Sequence, residues 1–263
     1  MNGDPWQTLR RFTDARIALG RTGHALPAAE VLRFQLAHAQ ARDAVGQPVD
    51  FAPLEAGLRG LGYAVTTLHS QAGDRATYLK RPDWGRLLDP SSQRQLAESG
   101  AGRSRPEVVW VIGDGLSAFA VERHAVPVME QAAPRLAAAG IAVHPTVFLA
   151  RQARVALGDE IGAALNARLV IMLIGERPGL SSPDSLGIYL TFEPRHGRQN
   201  AERNCISNVR PAGLSYQQAA VKVTWLAREA LRLGLTGVGL KDGSDDLALE
   251  SQSTPPPALD HQG

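Results

Sequence analysis

Cysteine is almost missing from this chain: Cys205 is the single one among 263 residues. One thiol excludes an internal disulfide framework and any all-cysteine zinc site, and it fits a reducing, cytosolic compartment. Long apolar runs are missing as well. No stretch approaches the roughly 20 uninterrupted apolar residues of a membrane span. The start, Met-Asn-Gly-Asp-Pro-Trp, lacks the basic and apolar regions of a secretory signal. Lysine is scarce, with only Lys80, Lys222 and Lys241, so nearly all of the 28 basic residues are arginines, set against 26 acidic ones for a net charge of +2. The arginines are scattered in blocks no longer than two. That dispersal argues against a nucleic-acid footprint, whereas the planar guanidinium fork suits a protein–protein interface. The histidines are equally dispersed. Without a His-Glu-x-x-His pattern or a close His/Asp cluster, a dedicated metal site is not expected.

What is present is a hydrophobic content of 44%. A chain of this length can bury one large α/β core, with room for a helical annex. The first sixty residues read as helices: Trp6 to Leu19 by near-helical spacing, stopped by Gly20 and Gly23, then about Pro27 to Val45, then Leu54 to Leu61. A strand over Tyr63 to Leu68 follows. The Ser-, Gln-, Gly- and Arg-rich segment from Asp89 to Arg105 reads as a boundary.

From Glu107 the pattern changes. Val108 to Ile112 and Leu169 to Ile174 are unbroken apolar runs, as expected of parallel strands buried on both faces. Between and after them come helical segments to Ala139 interrupted at Pro127 and Pro134, a strand over Ile141 to Leu149, and a helix over Leu157 to Leu165. Further on lie a strand over Ser185 to Phe192, a helix over Ser215 to Leu233, and a short last strand over Gly237 to Leu240. Alternating strands and helices of these lengths predict an open, mostly parallel, Rossmann-like sheet with helices on both faces, preceded by an N-terminal helical region. The expected division is 1–105 (helical, with a short strand), 106–243 (Rossmann-like domain) and 244–263 (disordered tail).

In such sheets ligands bind beyond the carboxyl ends of the strands. Two glycine turns qualify, Gly113 to Ser117 and Gly175 to Gly179. The first reads either as a phosphate-cradling turn or as a plain strand-to-helix turn, since it matches neither G-x-G-x-x-G nor a P-loop. The second puts Glu176 and Arg177 directly after a strand, as ligand contacts or as a surface ion pair. Cys205, in "AERNCISN", has no base nearby in sequence. The nearest histidine, His196, sits in an apparent loop, so a compact wall against a bulky ligand competes with the nucleophile reading.

Five motifs in order, "RIALGRTG" (16–23), "RPDWGRLL" (81–88), "VVWVIGDGLSA" (108–118), "GERPGLSSPDSL" (175–186) and "AERNCISN" with "GLSYQQAA" (201–220), resemble the ethanolamine ammonia-lyase small-subunit family. The resemblance implies half of a heteromeric carbon–nitrogen lyase that converts ethanolamine to acetaldehyde and ammonia. The partner would be a large subunit carrying the substrate, and adenosylcobalamin would lie between the two. It implies cofactor contacts at Val155, Glu176 and Cys205, no catalytic residue in this chain, docking through the N-terminal helices, and a cytoplasmic location inside or outside a bacterial microcompartment. No Asp-x-His-x-x-Gly motif is present, which leaves the cofactor's own benzimidazole as the expected cobalt ligand. The competing reading is a stand-alone doubly wound enzyme using a nucleotide or Cys205.

Overall fold

The computed structural model describes residues 5–13, 15–100 and 105–244. The expected disordered tail, apart from residue 244, lies outside these. Six strands form one mixed sheet in the order β1-β3-β2-β4-β5-β6. Their ranges are β1 Ala64–His69, β2 Val108–Gly113, β3 Thr146–Arg151, β4 Leu169–Gly175, β5 Leu186–Phe192 and β6 Arg203–Val209. The first four are parallel, β5 runs antiparallel to β4, and β6 antiparallel to β5.

Both central strands show why unbroken apolar runs are needed. On β2, Val108, Trp110 and Ile112 enter one core while Val109 and Val111 enter the other. On β4, Leu169, Ile171 and Leu173 face the first core, and Val170, Met172 and Ile174 the second. Helices α2 (Phe51–Gly60), α5 (Ala118–Ala138) and α7 (Tyr216–Leu233) cover the first face; α4 (Pro90–Gly100) and α6 (Val155–Ala164) cover the second. The remaining helices are α1 (Ala28–Gly46) and α3 (Arg75–Lys80).

Several elements differ from the sequence expectation. Among the described residues, the segment before Gly20 forms a 3-10 turn over Pro5–Arg11; Trp6 and Phe12 stay 65% and 83% exposed, too little burial to carry a longer helix there. The expected boundary holds α4, which starts on Pro90, where proline's missing N–H is harmless, and buries Leu96. Both prolines lie inside one continuous α5, whose nine buried residues outweigh the lost backbone bonds. The strand read from Ile141 starts at Thr146, and the one read at Gly237 to Leu240 is a 3-10 turn over Gly237–Gly239. Most consequentially, the segment holding Cys205 is β6, an edge strand that buries only Arg203, Ile206 and Val209. Strand β1, within 1–105, is hydrogen-bonded into the same sheet through β3.

From β2 the chain reaches β3 on one side through α5, then passes through α6 to β4 on the other side. The loops leaving β2, β3 and β4 therefore diverge at one point, the place where open α/β sheets hold ligands.

Candidate functional site

The two glycine turns, far apart in sequence, pack against each other. The Leu116 N–H donates to the Gly175 carbonyl at 2.8 Å. A side chain on Gly115 (φ +60°) would strike Gly175, and one on Gly175 would strike the Asp114 and Ser117 backbone, so neither position admits a Cβ. Asp114 is buried, and its carboxylate accepts from the Gln152 and Ala153 N–H groups at 2.7 and 2.8 Å, which ties the β2 turn to the loop after β3. Burial raises its pKa, and those two N–H groups oppose the rise. Ser117 caps α5 through Ala120 N and donates to the Pro183 carbonyl at 2.7 Å. The first turn is thus a cross-braced floor whose Leu116 N–H is already used.

Above this floor lies a cleft of about 400 Å³, whose walls include Tyr78, Arg154, Val155, Glu176, Tyr189 and Ser207. Val155 is the first residue of α6, placed by the loop after β3. Glu176 follows β4 directly. Its carboxylate accepts from Ser185 Oγ, from Ser207 Oγ at 2.6 Å and from the Asn208 N–H at 3.2 Å, and it lies over Gly187. A carboxylate offers about four acceptor positions, so three donors leave capacity for a ligand's N–H or O–H.

Cys205 stands opposite Tyr189 across the β5–β6 pair. It is not among the residues lining the cleft, although Tyr189 and Ser207 are. The residue is exposed, yet the atoms packed around its sulfur desolvate the thiol and push its pKa up. The Glu176 carboxylate adds to that rise and Tyr189 opposes it. A raised thiol carries little thiolate at neutral pH. His196, the neighbouring base in sequence, is instead 3.0 Å from Glu160. Both observations weigh against a nucleophile. Among the described residues no group of His, Cys, Asp and Glu could hold a metal ion.

Sequence reasoning missed Tyr78 and Arg154. Tyr78 is buried on α3 and donates to the Ala153 carbonyl at 3.0 Å. Burial raises its pKa, so it remains a neutral donor. Arg154 lies over its ring at 4.2 Å, with a buried Nε that has no hydrogen-bond partner. Gly85 passes this pair so closely that a Cβ there would sit 2.9 Å from Arg154 and 3.0 Å from Tyr78. On α3, Arg75 donates to the Gly115 carbonyl at 2.8 Å and to the Val45 carbonyl at 2.8 Å, which joins the end of α1 to the floor. The one signal available for Arg154 was its position just past an apolar strand.

The 176–185 loop has its own anchor. Asp184 lies 3.1 Å from Arg123 and 3.3 Å from His124 Nε2, while His124 Nδ1 is 2.8 Å from the Tyr216 hydroxyl.

Comparison with known proteins identifies the family. The family model described as ethanolamine ammonia-lyase light chain matches residues 3–241. The chain is 54% identical over 257 residues to the ethanolamine ammonia-lyase small subunit of Azotobacter vinelandii, covering 96% of this chain and 94% of that one. It is 53% identical over 251 residues to the one of Pseudomonas paraeruginosa, with 95% and 92% covered, and 54% identical over 245 residues to the one of Bradyrhizobium diazoefficiens, with 93% of each covered. With a family model spanning nearly the whole sequence and relatives above half identity, the chain belongs to the ethanolamine ammonia-lyase light-chain family.

Proposed function

We propose that this chain is the small subunit of an adenosylcobalamin-dependent ethanolamine ammonia-lyase, and that it forms one wall of the cofactor site with a large subunit for conversion of ethanolamine to acetaldehyde and ammonia. The observation that carries the reading is the open cleft at the strand ends, which brings Val155 and Glu176 together in a chain of this family. The cleft suits a large ligand bearing many amides. Glu176 has acceptor capacity to spare, Arg154 has an unpartnered donor, and Val155 with the Tyr189 ring offers apolar surface.

The residues would act by holding and shielding. Glu176, fixed by Ser185, Ser207 and Asn208, accepts from amide N–H groups; Tyr78 and the glycine floor keep water from the underside; Cys205 supports Tyr189 from the neighbouring strand. When bound, the cofactor supplies radical chemistry by homolysis of its cobalt–carbon bond. No side chain of this subunit is assigned to ethanolamine. Docking to the large subunit is assigned to the residues before β1, where Trp6, Phe12, Leu32 and Leu36 are all exposed. No described helix is long and apolar enough to cross a membrane.

The test is ammonia release from ethanolamine by purified chain plus adenosylcobalamin, with and without the co-expressed large subunit. Turnover is expected only with both subunits present. Turnover by this chain alone would sink the half-enzyme reading and restore the stand-alone alternative.

A further inference from the structure

Strand β6 breaks register beside Glu176. Leu186 pairs with Val209 and Ile188 with Ile206, so Ser207 and Asn208 together stand opposite the single residue Gly187. This is a β-bulge, and Asn208 completes it in the left-handed region at φ +58°, which asparagine tolerates better than most residues with a side chain. The bulge turns the Ser207 hydroxyl and the Asn208 N–H toward one carboxylate, that of Glu176, which lies against Gly187. In a regular strand the N–H lies in the sheet plane, away from the face that a neighbouring side chain occupies.

Backbone in this region persists only where its surroundings fix it. The Asn208 side chain accepts from Arg210 Nε at 2.9 Å, and the Asn208 carbonyl accepts from the Leu214 N–H at 2.8 Å. A Cβ on Gly213 would strike the Asn208 carbonyl and amide, so the following turn wraps the bulge closely. Arg210 is only 9% exposed, and its guanidinium lies 4.0 Å from Asp184.

The third donor to Glu176 leads to the same residue. Ser185, directly after Asp184, donates its hydroxyl to the Glu176 carboxylate, and its carbonyl accepts the Glu176 N–H at 3.0 Å. Both supports of Glu176 therefore meet at Asp184. From the other side α5 holds Asp184 through Arg123 at 3.1 Å and the buried His124 at 3.3 Å, whose second ring nitrogen is 2.8 Å from the Tyr216 hydroxyl. None of Arg123, His124, Asp184 and Arg210 lines the cleft.

We propose that Asp184 is a positioning residue for Glu176, acting with Arg210: it ties the β6 bulge and the 176–185 loop to α5, so that three donors converge on the carboxylate and its remaining acceptor position is aimed into the cleft. The inference rests on the cofactor reading above, in which Glu176 accepts from the corrinoid. Loss of the anchor frees the carboxylate to turn, which costs affinity through lost preorganisation rather than through a lost contact.

The experiment is a double-mutant cycle in the isolated two-subunit complex, read as affinity for cyanocobalamin by equilibrium dialysis. Glu176→Ala should weaken binding about tenfold, the loss of one charge-assisted hydrogen bond, and Asp184→Ala about fivefold. In the Glu176→Ala background Asp184→Ala should cause no further loss, because a residue that acts through Glu176 has nothing left to position. Arg210→Met keeps the contacts of Asp184 with α5 and cuts only the hold on the bulge; it should weaken binding about threefold and be masked in the same way. This variant carries the test if Asp184→Ala does not assemble. Losses that multiply in the double variants would make Asp184 and Arg210 ordinary supports of the fold and overturn the proposal. So would unchanged affinity in both single variants while Glu176→Ala loses binding. Unchanged affinity in Glu176→Ala, or an unmodified complex that binds no corrinoid, removes the cofactor reading itself, and the proposal falls with it.

Discussion

Helices α1 and α5 have similar lengths, 19 and 21 residues, and opposite relations to the rest of the molecule. Nine residues of α5 are buried and two prolines sit inside it without breaking it. Only Glu30 and Ala44 of α1 are buried, while Val31, Leu32, Phe34 and Leu36 face outward. Polar ties hold α1 in place: Glu30 pairs with Arg10 at 3.2 Å and with Arg33 at 2.5 Å, Arg16 donates to the Glu30 carbonyl, and Arg75 to the Val45 carbonyl. The contrast shows that burial, rather than helix-forming composition, decides how firmly each helix belongs to the fold. It also leaves an apolar surface on α1 that the described residues do not cover.

The largest effect should separate the two helices directly. Met129→Ala, in the core under α5, is expected to destabilise the isolated chain by about 2–5 kcal/mol in urea titrations, as core truncations to alanine do. Leu32→Ala, 64% exposed on α1, should stay within about 0.5 kcal/mol. Equal losses would break the comparison. In the two-subunit complex the order should change: Leu32→Ser/Leu36→Ser is expected to weaken association measurably in sedimentation experiments while leaving the isolated chain's melting temperature unaltered.

A smaller effect, in the histidine range of pH, belongs to α5. His124 faces Asp184, Arg123, Arg210 and Tyr216. Burial lowers its pKa, Asp184 opposes that, and Arg123 and Arg210 lower it further. For Asp184, burial would raise the pKa, but Arg123 and His124 more than offset it and the net shift is downward. Both folded pKa values therefore lie below their unfolded ones. The associated stability is present above the unfolded pKa and is lost as pH falls through the folded one. Melting temperature should decline on acidification below about pH 6.5, and His124→Gln should flatten the first part of that decline. Leu32→Ala should reproduce the unmodified profile; a matching change there would remove α5's special role.

Much of this architecture is legible in the sequence because β2 and β4 are apolar on both faces, which few other elements resemble. The failures have physical causes. Proline reads as a helix breaker unless the buried face around it is known, so α5 was split. A polar helix with one buried leucine, α4, looks like a linker. Strand β6 buries Arg203, Ile206 and Val209 at a spacing of three, with an irregular register against β5, so neither a period of two nor an apolar run marks it as a strand. In the site, each glycine turn was visible singly, but their contact depends on β2 and β4 being neighbours. Glu176 is legible from its place directly after an apolar strand, Val155 only from family resemblance, and the two meet in one cleft. Tyr78 and Arg154 need the α3–α6 approach, which no local pattern encodes.

The smallest effect should come from Cys205, which shares the exposure of α1 and the anchoring of the sheet. Its backbone is locked by pairing with Tyr189, so Cys205→Ser changes little besides the sulfur's contact with the Tyr189 hydroxyl, which a serine can also make. Burial already raises the Tyr189 pKa, and contact with Cys205 raises it further, so a hydroxyl in place of the thiol leaves a neutral tyrosine facing the cleft. Corrinoid affinity of the complex should fall by less than about threefold, within the range of a single lost packing contact, and turnover should persist. Abolished turnover with intact affinity would instead mean that the thiol does chemistry despite its raised pKa, and the wall reading of β6 would have to be given up.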